Sequence, residues 1–438
     1  MSLGVVLLET PWTKYSVNTL TAALESRSRI RVHVLNLLRD FELIHELKAK
    51  YDKLLVGASL NTYMLTRDDV LRSLTLLRNL KNNDVLTIAG GPHATGDPLG
   101  TLFSLGFDAA VIGEGEETFL EIVTALSEDG DICKVRGLVT VIDGKPVFTG
   151  IREKVSLDDY PPFPHWRRVV NPIEIARGCP YGCSYCQVSY MHGFKQRYRS
   201  IECIVENAIL AAKLGFHDLR FITPNGLGYG AEEAGKPRFD VVEELLEKLR
   251  KKVVEVYGAR IFYGSFPSEV RPEYVTEESA RMLKKYVSNK RIIIGAQSGS
   301  ERVLKAIRRR HTIDDVYEAF TALTKAGFRV DVDFILGFPW ESEDDYNETL
   351  KAIERLAGMG AVIHLHSFIP LPGTPLAAAE PRQLPNWVKK KVSKLVGSGR
   401  AYGAWMNQES VSLKIVELRR RGIILTGSKY YLGGGIRE

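Results

Sequence analysis

The chain reads as an α/β protein in two parts, a doubly wound parallel sheet followed by a partial (β/α)6 barrel, with a small C-terminal helical extension. Three observations carry that reading. Short apolar, β-branched runs alternate with helical periodicity over residues 1–130, the pattern of a parallel sheet covered on both faces. A proline-rich stretch interrupts the alternation. It then resumes over residues 167–375 with six strands, fewer than the eight of a closed barrel.

In the first part, Val5 to Leu8, Ile30 to Leu35, Leu54 to Ala58, Val85 to Ala89 and Asp108 to Ile112 have the composition of buried strands. Helical stretches at Asn18 to Ser26, Asp68 to Leu80 and Glu117 to Leu126 separate most of them. Ligands of such sheets bind outside the carboxyl ends of the strands. Those ends carry Ser59 and Asn61, then Gly90, Gly91 and His93, then Gly113 and Glu114. The glycines either let backbone approach a large ligand or serve only the tight strand-to-helix turns.

Residues 131–166 read as a linker with a hairpin at Asp143-Gly144 and a run through Pro161, Pro162 and Pro164. The barrel strands follow: Pro172 to Ala176, Asp218 to Thr223, Arg260 to Gly264, Arg291 to Ala296, Phe328 to Leu336 and Ala361 to His366. Helices are expected between them. Residues 376–438 form the extension, with helical material at Trp387 to Val396 and Ser410 to Arg421, expected to close over one side of the site.

The first barrel strand runs into Cys179-Pro-Tyr-Gly-Cys183-Ser-Tyr-Cys186, which gathers three of the five cysteines into eight residues. Soft thiolates this close together suit an iron-sulfur cluster. Three ligands for a four-iron cube leave one iron open, which favours an enzyme over an electron carrier. A tetrahedral zinc site would need a fourth ligand from His192, Cys203 or Cys133, and zinc sites usually show paired cysteine spacings. An odd cysteine count in a long chain argues against a disulfide framework.

Hydrophobic residues make up 45% and charged residues 26%, which excludes a disordered or fibrous class. The net charge of +6 is mild, and the basic runs at Lys389–Lys391, Arg419–Arg421 and Arg308–Arg310 are short, so no clear nucleic-acid partner is indicated. The N-terminal apolar run ends at Glu9 and Pro11, too soon for a signal peptide or a membrane span, and a cytoplasmic location is expected.

The C-x3-C-x-aromatic-C spacing, with Tyr185 as the aromatic, resembles the radical S-adenosylmethionine (SAM) superfamily. Gly90-Gly-Pro-His-Ala-Thr95, Val111-Ile-Gly-Glu-Gly-Glu-Glu117, Gly295 to Leu304 and Asp333 to Pro339 resemble its branch with an N-terminal, Rossmann-like cobalamin (B12)-binding domain. The resemblance implies that Cys179, Cys183 and Cys186 bind a 4Fe-4S cluster whose open iron is chelated by SAM. Reductive cleavage of SAM then yields a 5′-deoxyadenosyl radical that abstracts hydrogen from substrate. It further implies SAM contacts from Tyr185, Thr223, Asn225, Ser265, Glu269, Gln297, Ser298, Glu301 and Gly337, although the Gly-Gly-Glu wording usual after the second strand is absent.

For the N-terminal domain, the resemblance implies a corrin between the sheet edge and the barrel mouth, near Ser59, Asn61, Gly90, Gly91, His93, Gly113 and Glu114. None of the nine histidines has an aspartate two residues before it, so no Asp-x-His-x-x-Gly motif supplies an axial ligand to cobalt. The activity implied is methyl transfer to an unactivated centre of a small-molecule or lipid-like substrate, with an external one-electron donor such as a flavodoxin or ferredoxin. A cobalamin-independent radical SAM enzyme, using the N-terminal domain as a platform, and a non-catalytic metal protein are the alternatives. A methylthiotransferase would need three further cysteines in the N-terminal segment, which has none before Cys133.

Overall fold

The computed structural model describes residues 2–80 and 84–425. Seven strands form the N-terminal sheet: β1 (Leu3–Glu9), β2 (Val32–Asn36), β3 (Lys53–Ser59), β4 (Val85–Gly90), β5 (Ala109–Val111), β6 (Leu138–Ile142) and β7 (Lys145–Phe148). They lie in the order β2-β1-β3-β4-β5-β6-β7, the first five parallel and the last two antiparallel. Alternate residues of β1 explain the double covering. Val5 and Leu7 enter one apolar cluster with the helices 14–27 and 116–127, while Val6 and Leu8 enter another with the helices 41–50 and 68–79. The helix Phe41–Lys50 carries only one fully buried apolar residue, Ile44, which is why its periodicity is faint in the sequence.

The hairpin expected in the linker belongs to the sheet. Asp143 and Gly144 turn it with φ of 50° and 75°, and β6 pairs with β5 from Ala109 opposite Thr140. The sheet therefore continues past residue 130.

The barrel contains β8 (Ile173–Glu174), β9 (Ala176–Arg177), β10 (Arg197–Tyr198), β11 (Asp218–Ile222), β12 (Arg260–Phe262), β13 (Arg291–Gln297), β14 (Arg329–Leu336), β15 (Val362–Ser367) and β16 (Ala401–Tyr402). The strand expected at Pro172 to Ala176 is split. β8 joins the parallel barrel beside β11, and β9 turns away to pair antiparallel with β10. β12 and β13 are joined through the Val270–Ile294 bridge and the Ile293 N–H bond to the Gly264 carbonyl. Even-numbered residues of β14, Val330 to Leu336, pack outward on the helices 313–325 and 343–358, so its odd-numbered residues face the barrel lumen.

The C-terminal extension adds β16 to the open edge at β15. Its helix Trp405–Arg420 then crosses to the N-terminal domain, where Val411, Ile415 and Leu418 join the core that includes Val6 and Leu8. The extension thus fastens the barrel to the sheet.

Candidate active site

The cluster loop leaves β9 at Arg177 and ends in the short helix Gln187–His192. Gly178 has φ of 86°, and a Cβ there would lie 2.5 Å from the Lys195 carbonyl oxygen, so the turn requires glycine. Ser189 Oγ donates to the Cys179 carbonyl at 2.7 Å, and Ser184 N–H donates to the Ile307 carbonyl at 3.0 Å, pinning the loop at both ends. Cys179, Cys183 and Cys186 are free thiols. Burial, then the neighbouring Cys183 and Cys179, push the Cys186 thiol up to about 12. Three thiols gathered on one loop form a donor set for a cation that displaces their protons, as a thiolate-ligated cluster does. The buried guanidinium of Arg309 lies beside this set, its Nη1 3.9 Å from Cys183 Sγ and its Nη2 donating to the Gly295 carbonyl at 2.9 Å.

A cavity of about 690 Å³ separates the cluster loop from the carboxyl edge of the N-terminal sheet. Ser59, Gly90, Gly91, Gly113 and Glu114 line its sheet side, and Tyr185 and Cys186 line its barrel side. Gly91 has φ of 87° and its Cβ position is 2.8 Å from the Leu60 carbonyl, which fixes it as glycine. At Gly90 the position of a Cβ meets only Val111, at 3.7 Å, so that glycine leaves room in the cavity instead of serving a backbone turn. A broad apolar slot with a glycine floor fits a flat macrocycle.

Other residues singled out from the sequence have different surroundings. Asn61 accepts the Met64 N–H with its side-chain oxygen and caps a turn. His93 is fully buried, its Nδ1 3.1 Å from Thr62 Oγ1, and burial depresses it to about 3. It does not line the cavity. Ser298 is buried against Thr349, and Glu301 accepts the Ile313 N–H at 2.7 Å. Both act as local caps. Gly337 donates its N–H to Glu341 Oε2 at 2.6 Å, and its Cβ position is 2.9 Å from the Arg382 carbonyl, in the C-terminal extension.

Thr223 Oγ1 donates to the Asn225 carbonyl, and Asn225 Oδ1 accepts the Arg271 N–H. Ser265 Oγ is buried without a partner, and Gln297 adopts φ of 70° at the end of β13. Glu269 is pushed up by burial first and then by Asp333. The unpartnered Ser265 hydroxyl at the strand ends fits a polar ligand such as SAM.

Sequence reasoning missed the charges that join the two domains. Arg177 is buried between Glu116 at 2.8 Å and Glu174 at 2.6 Å, with Glu114 at 3.5 Å. Glu114 also accepts from Arg197 and from the Val155 N–H, and His192 Nδ1 stands 3.5 Å away. Burial alone would raise the Glu114 carboxyl, but His192, Arg177 and Arg197 hold it at about 2. The signal was a glutamate and an arginine inside the apolar run of residues 172–177.

The family model of the radical SAM superfamily matches residues 173–353, and that of the B12 binding domain matches residues 1–123. The chain is a radical SAM protein with an N-terminal B12-binding domain. A probable threonylcarbamoyladenosine tRNA methylthiotransferase of Archaeoglobus fulgidus is 25% identical over 67% of each chain. An uncharacterized methyltransferase of Pyrococcus horikoshii is 26% identical over 72% of this chain and 67% of its own. The fold is that of the radical SAM methyltransferase TsrM of Kitasatospora setae, solved with cobalamin and a [4Fe-4S] cluster, with a TM-score of 0.67, 19% identity and coverage of 86% and 77% of the two chains. The cobalamin-dependent SAM radical enzyme OxsB superposes with a TM-score of 0.65 at 16% identity, over 83% of this chain and 53% of that one. This radical SAM protein is a cobalamin-dependent enzyme whose cofactors are the 4Fe-4S cluster, SAM and cobalamin. Among the described residues, no helix is long and apolar enough to cross a membrane.

Proposed function

We propose that this enzyme transfers a methyl group to an unactivated centre of a small molecule, with the corrin in the 690 Å³ cavity and SAM at the barrel mouth. The observation that carries the reading is that one cavity touches both Gly90 at the sheet edge and Cys186 in the cluster loop. When bound, the cluster with SAM supplies radical generation and cobalamin supplies a transferable methyl group. Cys179, Cys183 and Cys186 hold the iron. Tyr185 separates the corrin slot from the barrel, its ring 5.9 Å from that of Phe338. Thr223, Asn225, Ser265, Glu269 and Gln297 supply polar groups at the strand ends toward SAM. Arg309 holds positive charge beside Cys183 and favours the more negative, reduced state of the thiolate-bound centre. The Arg177 network seals the cavity on the side where the two domains meet.

Several curated relatives are named for tRNA methylthiotransfer. Only Cys133 and Cys203 lie outside the cluster loop, too few for the three-cysteine site of a second cluster, which supports methyl transfer without sulfur insertion. The test is anaerobic reconstitution with iron, sulfide and cobalamin, followed by a one-electron donor such as a flavodoxin and SAM labelled with deuterium in its methyl group. Release of 5′-deoxyadenosine together with label in an acceptor drawn from candidate metabolite pools is expected. A fully loaded enzyme that leaves SAM intact contradicts the proposal.

A further inference from the structure

The lumen wall of the barrel carries a group of side chains that the cluster, SAM and corrin sites leave unused. Asp333 on β14 is the direct cross-strand partner of His364 on β15, and His366 lies two residues further along the same face. His364 Nδ1 stands 3.0 Å from Asp333 Oδ1 and 3.2 Å from His366 Nε2. All three donor atoms fall within 4.8 Å of one another.

The proton count at this point is unusual. A carboxylate oxygen and an imidazole nitrogen converge on one ring nitrogen, which cannot donate to the first and accept from the second at once. The separations are those of neighbouring ligands around a metal bonded at about 2.0–2.2 Å. A divalent cation at the convergence point engages all three lone pairs at once.

The C-terminal extension orients the rings. Tyr402 stacks on His364 with centroids 4.4 Å apart and planes 9° from parallel, and its hydroxyl donates to Asp331 Oδ2 at 2.8 Å. Gln408 takes the Ser367 N–H on its amide oxygen and sets its amide nitrogen 3.2 Å from His366 Nδ1. Ligation through Nε2 places the His366 proton on Nδ1, where the Gln408 oxygen accepts it after a half-turn of the amide that gives up the Ser367 N–H. The surrounding charge also favours a cation. Glu269 and Asp331 face the same group, Arg291 pairs with Asp331 at 3.1 Å, and Asp331 Oδ1 is buried without a partner.

We propose that Asp333, His364 and His366 form a divalent transition-metal site in the barrel lumen, separate from the iron-sulfur cluster. Two imidazoles and one carboxylate without thiolate select zinc or a similar borderline cation. Three protein ligands leave positions open to the lumen, where an oxygen or nitrogen of the substrate completes the coordination.

The experiment is calorimetric titration of zinc chloride into the anaerobically reconstituted enzyme, whose three cluster-loop cysteines are already occupied. The wild type is expected to take up about one zinc per chain in a saturable step. His364→Ala, His366→Ala and the isosteric Asp333→Asn should abolish that step while the iron content stays unchanged. Gln408→Ala should weaken zinc binding by about 10–100-fold. Asp333→Asn decides the matter if the alanine variants fail to fold. No saturable zinc uptake by the wild type, or equal affinity in Asp333→Asn, overturns the site and leaves the methyl-transfer reading untouched, because that reading is judged by SAM cleavage and label transfer.

Discussion

Arg177 donates to Glu116 at 2.8 Å across the seam between the barrel and the N-terminal sheet, both side chains 8% exposed. A charge pair this deeply buried has little net stability to offer when intact, but removing one partner strands the other in a medium that solvates it poorly. Because Arg177 also leads directly into the cluster loop, the pair couples the placement of the loop to the docking of the corrin-side domain.

Arg177→Met should lower the unfolding free energy by about 3–5 kcal/mol, the usual cost of an orphaned buried charge. Denaturant titration of the cofactor-free protein measures it. The double variant with Glu116→Gln should recover part of the loss.

Acid stability should depend on Glu114. Its folded-state pKa of about 2 lies below the ordinary 4.5, so its contribution is complete above pH 4.5 and disappears as pH falls through 2. Stability measured across that window should fall less steeply in Glu114→Gln than in the wild type.

Gly178→Ala should disturb the cluster loop without disturbing the barrel. The new Cβ would stand 2.5 Å from the Lys195 carbonyl, at a backbone φ of 86°. Iron retained after reconstitution and desalting should drop, while far-ultraviolet circular dichroism stays unchanged.

Cys183→Ala should remove the cluster's visible absorbance and abolish SAM cleavage. The cobalamin content of the same variant should persist, since Cys183 does not line the corrin-side cavity.

The parts of this molecule legible in its sequence are those with strict periodicity or dense special chemistry. The parallel strands carry unbroken apolar runs, and the three cysteines have a spacing that few other structures need. What escaped was decided by tertiary partners. Arg177 reaches Glu114 and Glu116 only after the two domains meet. Ser298 and Glu301 look like ligand groups in a strand-end motif, yet their nearest partners, Thr349 and the Ile313 amide, are supplied by other helices. Asn61 and His93 sit at a carboxyl edge as expected, but the local turn at Met64 and the burial of the 91–96 helix direct their side chains away from the cavity. The β6–β7 hairpin was visible as a hairpin, whereas its pairing with β5 depends on a non-local register.

In the proposed reading the corrin occupies the cavity between the sheet edge and the cluster loop. Gly90 tests it most directly, because its backbone φ of −134° admits any residue and an added side chain meets only Val111 before entering the cavity. Cobalamin retained after gel filtration, read from its visible absorbance against the iron content, should fall from about one per chain in the wild type to a trace in Gly90→Phe, with the cluster still loaded. Equal cobalamin retention by Gly90→Phe and the wild type would contradict this placement of the corrin.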